Sequence, residues 1–229
     1  MEPDQTQAAA WRTAGGRRAI PAAIVWIACS LGGLAALAVV HTSPGDRGES
    51  PAYWPEDAPW PRSTGTSTIV MFAHPRCPCT RAALRELAVI RARIDLRCPI
   101  RVVFYRPIGA TADWQTTAMV TQAEATRGLE ISWDEGGKIA ARFGARTSGH
   151  VFCYDDQGRL SFSGGITMAR GHDGDNPGRA ALVAAACNRR TTIGRTPVFG
   201  CSLVGPEAAS EAASPTPLTV TVTAEATQP

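Results

Sequence analysis

The sequence predicts an α/β domain, a mixed sheet flanked by helices, with a transmembrane helix before it and a disordered tail after it. Three observations predict this. Between residues 63 and 190, short apolar runs of strand type alternate with segments of helical period, in the order β-α-β-α-β-α-β-β-α. Residues 19–40 carry no charge, and as a helix they extend about 33 Å, enough for a bilayer core. From residue 205 onward the chain is mostly Ala, Ser, Thr and Pro with little charge, a composition that cannot bury a core. The 229 residues, 44% of them hydrophobic, therefore divide into 1–18 as a cytoplasmic N-terminus, 19–40 as an anchor and 41–63 as a Pro-rich linker. Residues 64–204 form the folded domain and 205–229 the tail.

Arg12, Arg17 and Arg18 precede the apolar run, which keeps the N-terminus in the cytoplasm and the rest outside. A cleaved signal peptide is the rival, with Ala36-Leu37-Ala38 as its cleavage site, but the run is longer than a signal core. Arg17-Arg18 as a twin-arginine export signal would rest on those two residues alone. Trp26, three positions before Cys29, is wrong for a lipoprotein cleavage box, so Cys29 reads as a buried apolar residue. Pro44, Pro51, Pro55, Pro59 and Pro61 make the next stretch an extended linker. Its Trp54 and Trp60 lie either at the membrane interface or against the domain.

Residues 69–73 are an apolar run of buried-strand type. The helix that follows, through residue 94, sets Ala83, Leu87, Ile90 and Ile94 on one face and arginines on the other. Residues 100–105 form a second strand, ended by Pro107. Asp113 is the expected cap of a helix from Trp114 to about Thr126. Residues 129–133 alternate as a short strand, and Asp134 caps a helix through Phe143, although Gly136-Gly137 weakens its start. Residues 151–154 and 160–162 flank Asp155-Asp156-Gln157-Gly158, a hairpin that gives the sheet an antiparallel edge. After a glycine-rich loop, 163–175, Asn176 as N-cap and Pro177 at the first helical position open a last helix to about Arg189. No internal repeat is present.

Chemistry concentrates where the first strand delivers Cys77 and Cys79, separated by Pro78, to a helix start. A thiol attacks as thiolate, and the free N–H groups and dipole of a helix N-terminus lower its pKa. Pro78 fixes φ and donates no N–H, which suits the opening turn. A disulfide across one intervening residue closes a small ring, and strain there favours an oxidant or isomerase over a reductant. His74 has three candidate roles: stabilising the thiolate, relaying a proton, or binding a metal with the two sulfurs. A plain loop histidine is the alternative. Arg76 either lowers the Cys77 pKa or is simply solvated. His150 falls in the loop expected to face the cysteine pair, and His172 in the glycine-rich loop reads as a surface residue. Cys201, beyond the last helix, reaches back as a resolving thiol or ligand, or pairs with Cys98, Cys153 or Cys187. Cys153 and Cys187 are expected to be packed, and Asp173 and Asp175 to be loop and capping carboxylates. Seven cysteines suit an oxidising compartment, though spacing does not fix their connectivity. The net charge of +3, without a basic patch interleaved with aromatics, argues against nucleic acid, and no cofactor is expected.

Residues 69–87, together with Lys138-Ile-Ala-Ala-Arg-Phe-Gly-Ala-Arg146 through Phe152-Cys-Tyr-Asp-Asp-Gln-Gly-Arg-Leu160, resemble a thioredoxin fold of the bacterial envelope type, similar to thiol reductases of cytochrome c maturation. Five further stretches narrow this: His74-Pro-Arg-Cys-Pro-Cys79, Thr147-Ser-Gly-His150, Ser163-Gly-Gly-Ile-Thr167, Arg170-Gly-His-Asp-Gly-Asp-Asn176 and Thr196-Pro-Val-Phe-Gly-Cys201 look like RedB-type thioredoxin-like proteins. The resemblance implies a membrane-tethered redox protein in which Cys77 is the exposed attacker and Cys79 resolves the mixed disulfide. Two departures stand out. One residue separates the cysteines where the family has two, and Gly149 stands where the family presents a cis-proline. The second departure leaves metal binding open.

Two functions of different kinds follow. The first is a thiol–disulfide oxidoreductase acting on cysteine-containing envelope proteins, held in the inner membrane by one span with its domain in the periplasm. The second is a copper-binding metallochaperone or sensor using His74, Cys77 and Cys79, since soft sulfur selects copper(I). A fold kept as an interaction module is a third. Neither cysteine sits in a peroxidatic context, which argues against a thiol peroxidase.

Overall fold

In the computed structural model, residues 5–189 and 191–203 are described, with side chains from Ile20 onward. The chain divides into two compact units, one ending at Ser43 and one beginning at Pro44. The first is a single helix, α1 (Gln5–Thr42). Its stretch Ile20–Thr42 is long and apolar enough to cross a membrane, and Ile24, Trp26, Leu31 and Leu34 along it are exposed. The expected disordered tail, 205–229, lies outside the described residues, as do residues 1–4.

The second unit has a five-stranded mixed sheet. Its strands are β1 (Thr68–Ala73), β2 (Ile100–Arg106), β3 (Leu129–Glu135), β4 (His150–Tyr154) and β5 (Leu160–Gly164), in the spatial order β3-β2-β1-β4-β5. β1, β2 and β3 run parallel, while β4 is antiparallel to β1 and β5 to β4, so the hairpin forms the antiparallel side of the sheet. This is the thioredoxin-like arrangement. All six residues of β1 are buried, as a central strand covered on both faces requires. Strand alternation then divides the core. Ile69, Met71 and Ala73 pack with Ala83, Leu84, Leu87 and Ile90 of α2 (Pro78–Arg91), Val120 of α3 (Ala118–Ala125) and Leu182 of α5 (Pro177–Ala186). Val70 and Phe72 face the other way, onto Ala140 and Phe143 of α4 (Lys138–Phe143).

Caps explain most helix boundaries. Asn176 accepts from the Arg179 N–H at 2.7 Å, with Pro177 at the first helical position, and α5 ends where Asn188 turns left-handed at φ 52°. The Asp134 carboxylate accepts from the N–H groups of Ile139 and Ala140, both at 2.8 Å, across the Gly136-Gly137 turn. The helix expected from Asp113 is corrected. Residues Ala112–Trp114 form only a 3-10 turn, and α3 starts later, with the Thr117 hydroxyl accepting from Val120 N–H. The Asp113 carboxylate is engaged instead by Arg76 and Thr111.

Of the two placements open for the tryptophans of the Pro-rich linker expected over residues 41–63, the structure shows the one against the domain. Trp60 is buried, and Trp54 stands edge-on to Phe143 and Tyr154 at 5.3 Å each. Trp54 N–H donates to Gly158 O at 2.8 Å, Leu160 N–H to Ala52 O at 2.8 Å and Gly45 N–H to Val198 O at 2.8 Å. The prolines make this stretch extended, but it lies on the domain as an outer layer because its aromatics cover Phe143.

Candidate functional site

The site gathers at the N-terminus of α2, where β1 ends. Cys77 is the N-cap residue, extended at φ −88° and ψ 120°, and Pro78 occupies the first helical position. Thr80 N–H donates to Cys77 O at 3.0 Å and Cys77 N–H to His74 O at 3.1 Å, which fixes the turn. A chain of hydroxyls ties this turn to the loop before β4. Ser148 Oγ accepts from His74 N–H at 2.8 Å and shares a hydrogen bond with Thr80 Oγ1 at 2.8 Å. Gly149 follows at φ +91°, a conformation that favours glycine, with its N–H on Phe72 O at 2.8 Å and its α-carbon facing Ala83.

The third component arrives from the far end of the chain. After α5, Ser163 N–H donates to Gly194 O and Gly165 N–H to Pro197 O, so the returning segment follows β5. Residues 199–203 then cross to the loop before β4. Ser148 N–H donates to Cys201 O and Leu203 N–H to Arg146 O, both at 2.9 Å, around an antiparallel bridge between Thr147 and Ser202. The result is a contact between sulfurs: Cys77 Sγ lies 2.9 Å from Cys201 Sγ. Among the described residues all seven cysteines are free thiols.

The three thiols differ electrostatically. Burial pushes Cys77 up, but the Cys201 thiol and the backbone N–H groups of Cys201, Cys79 and Thr80 outweigh it, and its pKa falls below the ordinary value. Burial and the neighbouring Cys77 push Cys79 up. Burial and the same neighbour push Cys201 up to about 12. The guanidinium of Arg170 opposes both rises and donates to Gly200 O. Of the three thiols, Cys77 is therefore the one whose deprotonation its surroundings favour, while those of Cys79 and Cys201 oppose it.

Several expectations are corrected. Cys77, expected as the exposed attacker, is only 1% exposed, while Cys201 is exposed. The contacts of the His74 ring are with aromatic neighbours. Its ring stacks on Tyr105 at 5.7 Å and meets Trp114 at 5.5 Å, with Nδ1 accepting from Arg76 N–H at 3.1 Å. Burial and Arg76 lower its pKa. His150 does not face the pair. It lies opposite Phe72 in the β1–β4 register, hence on the α4 face of the sheet, stacked on Phe152 at 4.2 Å, with Nε2 on Ser163 Oγ at 2.9 Å. Arg76 lies over the Trp114 ring at 4.1 Å. Among the described residues no group of three or more His, Cys, Asp or Glu is placed to hold a metal ion, so the His74, Cys77 and Cys79 site is not assembled.

Sequence reasoning overlooked Ser148, Thr80, Arg170 and Gly200. Ser148, Arg170 and Gly200 lie inside short polar and glycine motifs, but nothing local in those motifs says that they converge.

The sequence matches no family model and no curated protein. Among solved structures, an uncharacterised conserved protein from Geobacillus kaustophilus is similar at 18% identity and a TM-score of 0.50, over 71% of this chain and 92% of that one. A hypothetical protein from Sinorhizobium meliloti is similar at 20% identity and 0.47, over 70% and 93%. A secreted Mycobacterium tuberculosis disulfide oxidoreductase homologous to E. coli DsbE is similar at 15% identity and 0.39, over 55% and 83%. At such identities the likeness is one of fold.

Proposed function

We propose that the chain is a membrane-anchored thiol–disulfide oxidoreductase in which Cys77 is the attacking thiol. One observation carries this: a helix-capping thiol holds its pKa below the ordinary value despite burial, with a second sulfur 2.9 Å away. Thiolate character and a thiol in contact are what exchange chemistry needs.

The Cys77 thiolate attacks one sulfur of a partner disulfide. The partner's S–S bond breaks, a mixed disulfide forms, and the other partner sulfur leaves as thiolate and takes up a proton. A second thiol of the chain then attacks Cys77 Sγ, closes an internal disulfide and releases the partner's remaining sulfur, which takes up the second proton. Two thiols of the chain are oxidised and one partner disulfide is reduced, and the reverse sequence oxidises a partner. The approach of Cys201 supports it as the resolving thiol over Cys79.

The apolar Ile20–Thr42 helix and the arginines before it support a single inner-membrane span with the domain in the periplasm. Disulfides persist there, and the partners are cysteine-containing envelope proteins. The Cys-Pro-Cys motif in its RedB-type setting belongs to the same reading.

The test uses the full chain in detergent micelles, equilibrated in glutathione redox buffers, with disulfides mapped by mass spectrometry. A reversible disulfide at Cys77 is expected, and Cys77→Ser abolishes it. If Cys77 joins no disulfide at any potential, the function is not thiol exchange. A reporter fused after Pro229 that is active only in the cytoplasm would overturn the periplasmic placement.

A further inference from the structure

Cys77 is 1% exposed, so a partner's cysteine reaches it only when whatever covers it moves. What meets its sulfur is the segment 199–203, which pairs as a short antiparallel strand with residues 146–148 and sets Cys201 Sγ on Cys77 Sγ. Addition of an extended segment to a backbone edge is a general mode of peptide recognition, with main-chain hydrogen bonds giving affinity and side-chain fit giving specificity. Here the added segment is the protein's own.

We infer that residues 199–203 are a built-in pseudosubstrate: they hold the backbone edge on which an extended cysteine-bearing segment of a partner docks, with Cys201 in the place of the partner's cysteine. This rests on the oxidoreductase reading.

The edge prescribes what fits it. The carbonyl of the partner's cysteine accepts from Ser148 N–H, and the N–H two residues later donates to Arg146 O, as Cys201 and Leu203 do. The residue before the cysteine is glycine, because a Cβ at Gly200 would stand 2.0 Å from Ser148 O. Ser148 has little room to retreat, since its hydroxyl is held by His74 N–H and Thr80 and the next N–H is bound to Phe72 O. The preferred partner is thus an extended segment with a Gly-Cys pair.

Exchange then alternates two occupants of one edge. The internal strand leaves, the partner segment docks, and the Cys77 thiolate attacks the partner's cysteine sulfur, expelling the sulfur it was bonded to as thiolate. The strand returns, and the Cys201 thiolate attacks Cys77 Sγ. The Cys77–partner bond breaks as the Cys77–Cys201 bond forms, and the released partner thiolate takes up the proton that Cys201 gave up. The returning strand reclaims the edge in the same event.

The test uses the reduced full chain in micelles and two blocked peptides identical except for Gly-Cys or Val-Cys, each activated as a mixed disulfide with nitrothiobenzoate. Cys77 attacks the peptide sulfur and nitrothiobenzoate leaves, so absorbance reads the rate. The Gly-Cys peptide is expected to react at least about tenfold faster than the Val-Cys peptide. An edge free about a tenth of the time lowers apparent affinity about tenfold. Unseating the strand by Gly200→Val, or loosening it by Arg170→Ala, is therefore expected to raise the Gly-Cys rate by up to about tenfold. Arg170→Ala carries the test alone if Gly200→Val does not fold. Equal rates for the two peptides, or no gain in the folded variants, overturn the inference while leaving thiol exchange intact, provided Cys77 still reacts with the small symmetric nitrothiobenzoate disulfide. If Cys77 fails to react even with that reagent, the oxidoreductase reading falls and the pseudosubstrate with it.

Discussion

Cys77 is subject to opposed influences, burial against a neighbouring thiol and backbone N–H groups, and the second set wins. Its thiolate persists below the ordinary value of 9.0, whereas Cys201 stays protonated until about 12. For the reduced domain the signs differ. The stabilisation from Cys77 is present above its ordinary value and lost as pH falls through its lowered one. That from Cys201 is present below the ordinary value and lost as pH rises toward about 12. Alkylation with iodoacetamide, followed by peptide mapping across pH, is expected to label Cys77 with a midpoint below 9.0. A midpoint above it would remove the thiolate argument. His150 makes a second case. Burial and Arg47 lower its pKa to about 3, and its Nδ1 has no hydrogen-bond partner. The unfolded chain takes up a proton near 6.5 that the folded domain refuses. Stability is therefore full above 6.5 and falls below it by up to about 1.4 kcal/mol per pH unit. Urea denaturation at pH 7 and pH 5 is expected to show a smaller drop for His150→Gln than for the native chain, and equal drops would refute it.

At the scale of elements, α2 is held at its N-terminus and again near its middle. Its N-terminus is tied to the loop before β4 through Thr80 and Ser148. Farther along, the buried Glu86 pairs with Arg179 of α5 at 2.9 Å and accepts from Gly174 N–H at 2.6 Å, so one carboxylate secures both a helix and the glycine-rich loop that carries Arg170. Removing one partner of a buried pair leaves the other charge uncompensated, which costs about 3–5 kcal/mol, whereas replacing both with apolar groups costs far less. Arg179→Met is expected to fall in that range by equilibrium denaturation, and Glu86→Leu with Arg179→Met to recover most of it. Additive losses in the double variant would show that the pair acts separately. The exposed pairs, such as Arg85 with Asp173 at 3.4 Å, carry little by comparison.

For the whole molecule, the sheet has two cores, and the one on the α4 side is completed by chain that precedes the first strand. Trp60 and Trp54 close over Phe143, and Arg101 lies over the Trp60 ring at 4.8 Å. Losing a buried aromatic costs about 3–5 kcal/mol. A fragment beginning at residue 64 is therefore expected to be less stable than one beginning at residue 44 by about 3 kcal/mol or more, read from denaturant midpoints. Equal midpoints would show that the tryptophans are ornamental to the fold.

The order of strands and helices, the apolar face of α2, the Asn176 and Pro177 start of α5 and the position of Cys77 at a helix N-terminus were all determined by the sequence alone, because periodicity and capping act over a few residues. Tertiary structure decided the rest. Cys77 and Cys201 stand 124 residues apart, and only the return of the chain along β5 brings their sulfurs together. His150 is a neighbour of the right loop, yet one step of strand parity sends its ring to the opposite face of the sheet. Residues 44–63 have the composition of a linker, and only the aromatic surface formed by Phe143 and Tyr154 gives their tryptophans somewhere to pack. Local pattern states what an element is; which elements meet depends on register and on the paths of connections, which no short window of sequence contains.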